Sequence, residues 1–190
     1  MNREEFKLPL FKLTKYMIRP FLRCVFNTLL FNRMIHKELL INTFDCDIMN
    51  VSYIKLMDKS LQLHIEEDIQ SIYKTIDNCS PFTINFSFFS FIKKNGLLRK
   101  YKEKFIWETW CIPIKCIKNN EISIGICSYM STLLQMVMNK QNHIIPITNT
   151  LNINYFTIDW NKKPKKRRLS WKKVMSKLSN MSPPEFNITF

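Results

Sequence analysis

Apolar residues recur every three or four positions along three stretches of the chain and alternate with polar ones along several others. Phe21, Leu22, Val25, Phe26, Leu29 and Leu30 trace a wide apolar stripe that predicts a helix up to about Met34. Pro20 suits its first turn, where the missing N–H costs nothing. Leu61, Ile65, Ile69, Ile72 and Ile76 fall on one face of a second helix, with Asp58 or Ser60 as its cap. Ile122, Ile126, Met130, Leu133 or Leu134, and Val137 set out a third, after a turn at Asn119-Asn120 and ending near Asn142. Between these lie β-prone runs. Phe6 to Leu13 reads as an edge strand, since Pro9 is tolerated only at an edge. Leu39 to Phe44 and Ile48 to Leu56 follow the first helix. Phe82 to Ile92 and Phe105 to Ile117 form a hairpin whose long tip, Lys93 to Lys104, contains Gly96. Ile144 to Ile158 reads as extended. Helical turns around Trp171 and a last strand over Phe186 to Phe190 end the chain. Strands interleaved with helices in this order predict an α+β fold, a mixed and mostly antiparallel sheet backed by three helices.

The chain has 190 residues, the size of one domain, with 46% apolar and 23% charged residues, a globular composition. It contains two glycines, Gly96 and Gly125, so glycine-rich phosphate-binding loops are excluded. No apolar run reaches the length of a membrane-spanning helix. Met1 to Lys7 is charged and leads into Leu8-Pro9-Leu10-Phe11 without the apolar region of a secretory signal. A cytosolic or nuclear chain with reduced thiols is therefore expected, several of its six cysteines serving as core fillers. The net charge of +14 is concentrated: residues 161–177 hold nine Lys or Arg and no acid. Its densest part is Lys162, Lys163, Lys165, Lys166, Arg167 and Arg168, which reads as a solvated loop, a nuclear import signal or an anionic-surface contact. A milder basic run spans Lys93 to Lys104.

No catalytic constellation stands in the sequence. Cys111 and Cys116 are five apart, which places them on opposite faces of a strand, and no second pair completes a metal site. His36, His64 and His143 lack ligand spacing. Glu66, Glu67 and Asp68 lie off the apolar stripe of the second helix and read as a solvated face. Trp107 and Trp110, three apart, are expected on opposite sides of their strand, one in the core and the other exposed or covered by a partner. No metal, cofactor or enzymatic activity is expected.

Four words of the sequence, in order, point to a family. The segment Phe44-Asp45-Cys46-Asp47 through Tyr53-Ile54-Lys55-Leu56 resembles the Asp-Cys-Asp…Tyr-Val/Ile segment of the autophagy-related protein 101 family. Ile106-Trp107-Glu108-Thr109-Trp110 is similar to its Trp-Glu-x-Trp strand. Met136 to Pro146 resembles a helix end with its following strand, and Ser182 to Phe190 the final strand. The apolar pattern between these anchors runs in step from about Leu13 to Leu151.

The resemblance implies a HORMA fold over residues 6–190 as a single domain, with residues 161–177 as a basic insertion before the last strand. It implies a non-enzymatic adaptor in the autophagy-initiating kinase complex. The adaptor pairs with the HORMA domain of autophagy-related protein 13 and stabilises it, and so joins the Unc-51-like kinase and its scaffold subunit. The expected place is cytoplasmic, at autophagosome assembly sites, with a nuclear fraction. The family often carries an exposed Trp-Pro-Phe finger in the hairpin loop. Here that loop reads Asn95-Gly96-Leu97-Leu98-Arg99, so Leu97 and Leu98 are the aliphatic candidates for the tip. They either tuck back onto the sheet or recruit a partner. Two alternatives stand beside the adaptor: a checkpoint or translesion type of HORMA protein clamping a peptide, and a nucleic-acid-binding protein using the basic tract.

Overall fold

Two long strands organise the molecule. In the computed structural model, which describes residues 3–33, 40–46, 50–76, 80–95, 100–117, 125–139 and 155–160, they are β5 (Phe82–Asn95) and β6 (Lys100–Ile117), paired antiparallel. β7 (Tyr155–Trp160) adds antiparallel to the far side of β5. β1 (Glu4–Lys7) and β2 (Phe11–Thr14) both run parallel to β6 on its other side. The predicted edge strand is thus two strands. Lys7 lies opposite Cys111 and Phe11 opposite Ile114, so the run gains one residue on β6 across Pro9, which has no N–H for the ladder. Leu8 still donates to the Cys111 carbonyl at 3.0 Å before the break.

The helices arise where the 3.6-residue periodicity predicts them. α1 (Ile18–Arg33) holds Pro20 in its first turn, and every member of the Phe21 to Leu30 stripe is fully buried. β3 (Ile41–Cys46) and β4 (Val51–Leu56) make a separate antiparallel hairpin. α2 (Lys59–Thr75) is capped by Asp58, whose carboxylate accepts from Ser60 N–H at 2.8 Å and Leu61 N–H at 3.1 Å, and it buries Ile65, Ile69 and Ile72. α3 spans Ile126–Asn139, and Ile122, which the apolar pattern includes, lies outside the described residues. Gly125 takes φ +117°, a backbone state L side chains rarely adopt, and its carbonyl accepts from Tyr129 N–H at 2.9 Å to open the helix. The three helices and the mixed sheet make the described fold α+β. One apolar cluster runs from Phe6 through the sheet and helices to Ile158.

Two expectations are corrected here. The hairpin tip is short, because the β5–β6 ladder continues through Lys93↔Lys102, Lys94↔Tyr101 and Asn95↔Lys100. Backbone pairing does not depend on apolar side chains, so the basic run Lys93 to Lys104 did not end the strands. Second, Trp107 and Trp110 are both buried, at 1% and 0% exposure. The register passes from Phe88↔Glu108 to Phe89↔Ile106, which leaves Trp107 as the extra residue of a bulge. The bulge resets the alternation, so Trp107 stacks on Phe88 at 5.4 Å while Trp110 stacks on Phe6 at 4.3 Å. Of the extended run expected over Ile144 to Ile158, the part from Tyr155 onward is the strand β7. The rest of that run, the turns around Trp171 and the strand over Phe186 to Phe190 lie outside the described residues.

Ile65 and Ile72 sit mid-stripe on α2 with no exposure. Ile65→Asp or Ile72→Asp places an unpaired carboxylate there, at a cost of several kcal/mol against a domain stability of roughly 5–15 kcal/mol. Loss of soluble expression is expected for each, and wild-type solubility in both would refute the packing of this face.

Candidate interaction surface

Glu108, Trp110, Ile112 and Ile114 occupy alternate positions of β6, and that phase puts an acid at a core position. Glu108 is fully buried. Its carboxylate accepts from Arg33 Nε at 3.0 and 2.9 Å, and also from the indole N–H of Trp110. Arg33 is the last residue of α1, likewise without exposed side-chain surface, and its Nη2 donates to the Val137 carbonyl of α3 at 3.2 Å. One ion pair therefore ties the end of α1, the centre of β6 and the last turns of α3. Arg33 was not among the candidates read from the sequence. The signal was present, because an acid in phase with isoleucines and tryptophan on a strand requires a buried cation.

A second polar system joins α1 to α2. Arg19 Nη2 donates to Gln70 at 3.0 Å, Arg23 makes a two-pronged pair with Glu66 at 2.6 and 2.8 Å, and Gln62 Nε2 donates to Asn27 at 2.9 Å. The rungs step by four residues on both helices in opposite directions, the signature of antiparallel packing. Gln62 also donates to the Leu56 carbonyl, which fastens β4 to the seam. Arg19 further lies 4.0 Å over the Tyr73 ring. The acidic cluster is accordingly not a uniformly solvated face. Glu66 is held by Arg23, and Asp68, 22% exposed, pairs with His64 at 3.6 Å. Glu67 alone is exposed as expected.

Between these two fastenings lies an open groove of about 380 Å³ formed by α1, β4 and α3. Phe31, Val51, Tyr53, Met130 and Leu134 give it an apolar lining, and Thr28, Ser52 and Ser131 contribute hydroxyls. Its β4 wall is part of the Phe44 to Leu56 segment, braced by Ser52 Oγ donating to Asp45 at 2.7 Å and by Lys55 over the Phe44 ring at 5.0 Å. On α3, Cys127, Ser131, Leu134 and Met138 follow at helical spacing and are all exposed, Leu134 at 43% and Met138 at 61%. An apolar groove with an adjoining exposed stripe is what a protein partner covers.

Leu97 and Leu98 lie between β5 and β6, outside the described residues, as do Lys162, Lys163, Lys165, Lys166, Arg167 and Arg168 and the insertion 161–177. The groove had no counterpart among the sequence-derived candidates because its three walls are far apart in the chain. Among the described residues no three His, Cys, Asp or Glu side chains gather as a metal site. Cys116 is buried and Cys111 is half-buried against Glu5 at 3.6 Å.

Glu108→Gln keeps an acceptor for Trp110 but leaves the Arg33 guanidinium buried without a counter-charge. A loss of about 3–5 kcal/mol in urea unfolding is expected. Arg33→Met combined with Glu108→Gln should recover most of that loss, and a double variant as unstable as the sum of the singles would contradict the pairing. Asp68 supplies a pH test. Burial is the main cause that pushes its carboxyl up to about 6, with Glu67 and Asp159 adding to the rise and His64 opposing it. An acid whose folded pKa is raised binds more protons folded than unfolded, so its contribution to stability declines as pH rises from about 4 to about 6. Asp68→Asn should match wild type near pH 4 and exceed it by on the order of 2 kcal/mol near pH 7. A variant less stable than wild type at pH 7 would show that the His64 contact outweighs burial.

The profile of the Autophagy-related protein 101 family matches residues 11–153, from the first residue of β2 to just before β7. No curated protein matches the chain significantly. The match takes in the β3–β4 hairpin, the Glu108 strand and all three helices, and it covers about three quarters of the sequence. The chain belongs to the Autophagy-related protein 101 family.

Proposed function

We propose that this protein is a non-catalytic adaptor of the HORMA type in the autophagy-initiating kinase complex. It pairs with the HORMA domain of autophagy-related protein 13 and, through it, joins the Unc-51-like kinase and its scaffold subunit. Family membership over residues 11–153 carries the reading. The order of strands and helices supports it, as does the groove between α1, β4 and α3 with the exposed Leu134 beside it. In this proposal the protein works in the cytoplasm at autophagosome assembly sites. Leu97 and Leu98 serve as the recruiting tip, and the Lys162 to Arg168 tract meets an anionic surface.

A partner that binds only the folded chain stabilises it by mass action, by about 2.7 kcal/mol at a partner concentration one hundred times Kd. Adding the HORMA domain of autophagy-related protein 13 should therefore raise the melting temperature of the purified chain. Leu134→Asp changes an exposed side chain, so the free chain should melt as wild type does while its affinity in co-purification or calorimetry falls tenfold or more. A sharp melt of the free chain that the partner leaves unmoved would refute the pairing. Wild-type affinity in Leu134→Asp would move the interface off α3.

A further inference from the structure

The cations in and around α1 divide into two groups. Arg23 and Arg33 are each bonded to a carboxylate, Glu66 and Glu108. Lys12 and Lys15 just before the helix, Arg19 in its first turn and Lys115 on β6 meet no carboxylate among the described residues. These four gather where β2 passes into α1. Lys12 and Lys115 are in register across the parallel ladder, and both point away from the core, since Phe11, Leu13, Ile114 and Cys116 on either side of them are buried. Lys15 Nζ and the Arg19 guanidinium converge over the Tyr73 ring of α2, 5.4 and 4.0 Å from its centroid. Lys12 and Lys15 are three residues apart, so their backbones are within about 10 Å of each other. The segments that build this rim, residues 6–23, 69–76 and 109–117, contain no Asp or Glu. Two apolar side chains border it in the open, Leu10 at 50% and Tyr16 at 59% exposure.

We propose that this rim, Lys12, Lys15, Arg19 and Lys115 with Leu10 and Tyr16, is a docking surface for an anionic lipid bilayer. Four cations without a counter-ion are complementary to a surface of many anionic headgroups. Each is attracted within about one Debye length of such a surface, about 10 Å at 0.1 M salt, so cations that share one rim act on it together. The long stems of Lys12 and Lys15 let their ammonium groups reach the headgroups while the rim rests on the bilayer. Arg19 is already oriented, by Gln70 at 3.0 Å and by the Tyr73 ring. The apolar members favour lipid over a nucleic acid duplex. A duplex meets a basic surface with solvated phosphates and leaves Leu10 and Tyr16 without a gain. At a bilayer the leucine enters the acyl boundary, and the tyrosine ring lies at headgroup level with its hydroxyl in water. The rim belongs to the folded domain and stands apart from the Lys162 to Arg168 tract. None of its six residues lines the groove, so a bilayer and a protein partner do not compete for the same side chains.

The test is co-sedimentation of the full chain with phosphatidylcholine vesicles, with and without phosphatidylserine, at about 0.1 M salt. Binding should require phosphatidylserine. Lys12→Gln with Lys15→Gln changes two exposed side chains, so the melt should stay as in wild type while vesicle affinity falls about fivefold for each cation removed. Tyr16→Ser should weaken vesicle binding and leave binding to a short DNA duplex unchanged. The basic tract is separated from the rim by a chain in which Lys162, Lys163, Lys165, Lys166, Arg167 and Arg168 are all glutamine. That chain should still bind the phosphatidylserine vesicles, and adding Lys12→Gln and Lys15→Gln to it should reduce the remainder by the same factor. Wild-type vesicle affinity in the Lys12 and Lys15 variant overturns the proposal, as does complete loss of binding when the tract alone is neutralised. Tighter binding to the duplex than to the vesicles, lost with the same two lysines, would assign the rim to nucleic acid and overturn it too.

Discussion

The Arg33–Glu108 pair is the constraint around which the rest is arranged. A carboxylate with no exposed surface in the middle of the longest strand is tolerable only with a cation at full contact, because desolvating either charge alone costs several kcal/mol. Glu108 therefore dictates where α1 must end. The helix has to deliver Arg33 at its last turn onto the centre of β6, and the same guanidinium then reaches the Val137 carbonyl of α3. The ion pair has one geometry, so the crossing of α1, β6 and α3 is specified at a single point.

From that point the position of α2 follows. With the end of α1 anchored, its earlier turns present Arg19, Arg23 and Asn27 along one line, and α2 answers with Gln70, Glu66 and Gln62. Partly exposed pairs of this kind contribute little energy each. Their common four-residue step nevertheless defines one antiparallel register, since a slip by one turn would break all the rungs together. Gln62 extends the seam to the Leu56 carbonyl and so carries the β3–β4 hairpin with it. The hairpin belongs to no larger sheet among the described residues, and its place beside α1 depends on these side-chain contacts and on the core contacts of Cys46, Val51 and Tyr53.

What could be read in the sequence divides along physical lines. The helices were legible because burial on a helix leaves a 3.6-residue trace, and Asp58 was legible as a cap because its role is local. Trp107 and Trp110 were misplaced because a bulge breaks the period-two rule without leaving a local mark. The polar run Lys93 to Lys104 hides the end of the hairpin, because ladder hydrogen bonds belong to the backbone. The acidic cluster of α2 looks solvated in the sequence because Arg23, the partner of Glu66, lies 43 residues away on another helix. The groove had no sequence trace for the same reason: α1, β4 and α3 supply a few residues each. Family resemblance, carried by Asp45, Cys46, Trp107, Glu108 and Trp110, reached what periodicity did not. Four of those five residues, Cys46, Trp107, Glu108 and Trp110, prove to make long-range or core contacts that hold the elements together.

The same contacts explain why an exposed apolar groove can coexist with a stable fold. A surface that a partner covers must stay open in the free chain, so its walls cannot be held by packing against each other. Here each wall is secured from behind. α1 is fixed by Glu108 and by the α2 seam, α3 by the Val137 contact and by Tyr129 packing 4.6 Å from Phe11 and 5.3 Å from Phe21, and β4 by Gln62. Of the groove-lining side chains, Leu134 is exposed and spare to the fold, whereas Phe31, Val51, Tyr53 and Met130 also pack into or against the core. Only the exposed part of the lining, Leu134 and its neighbour Ser131, can change without touching the contacts that build the walls.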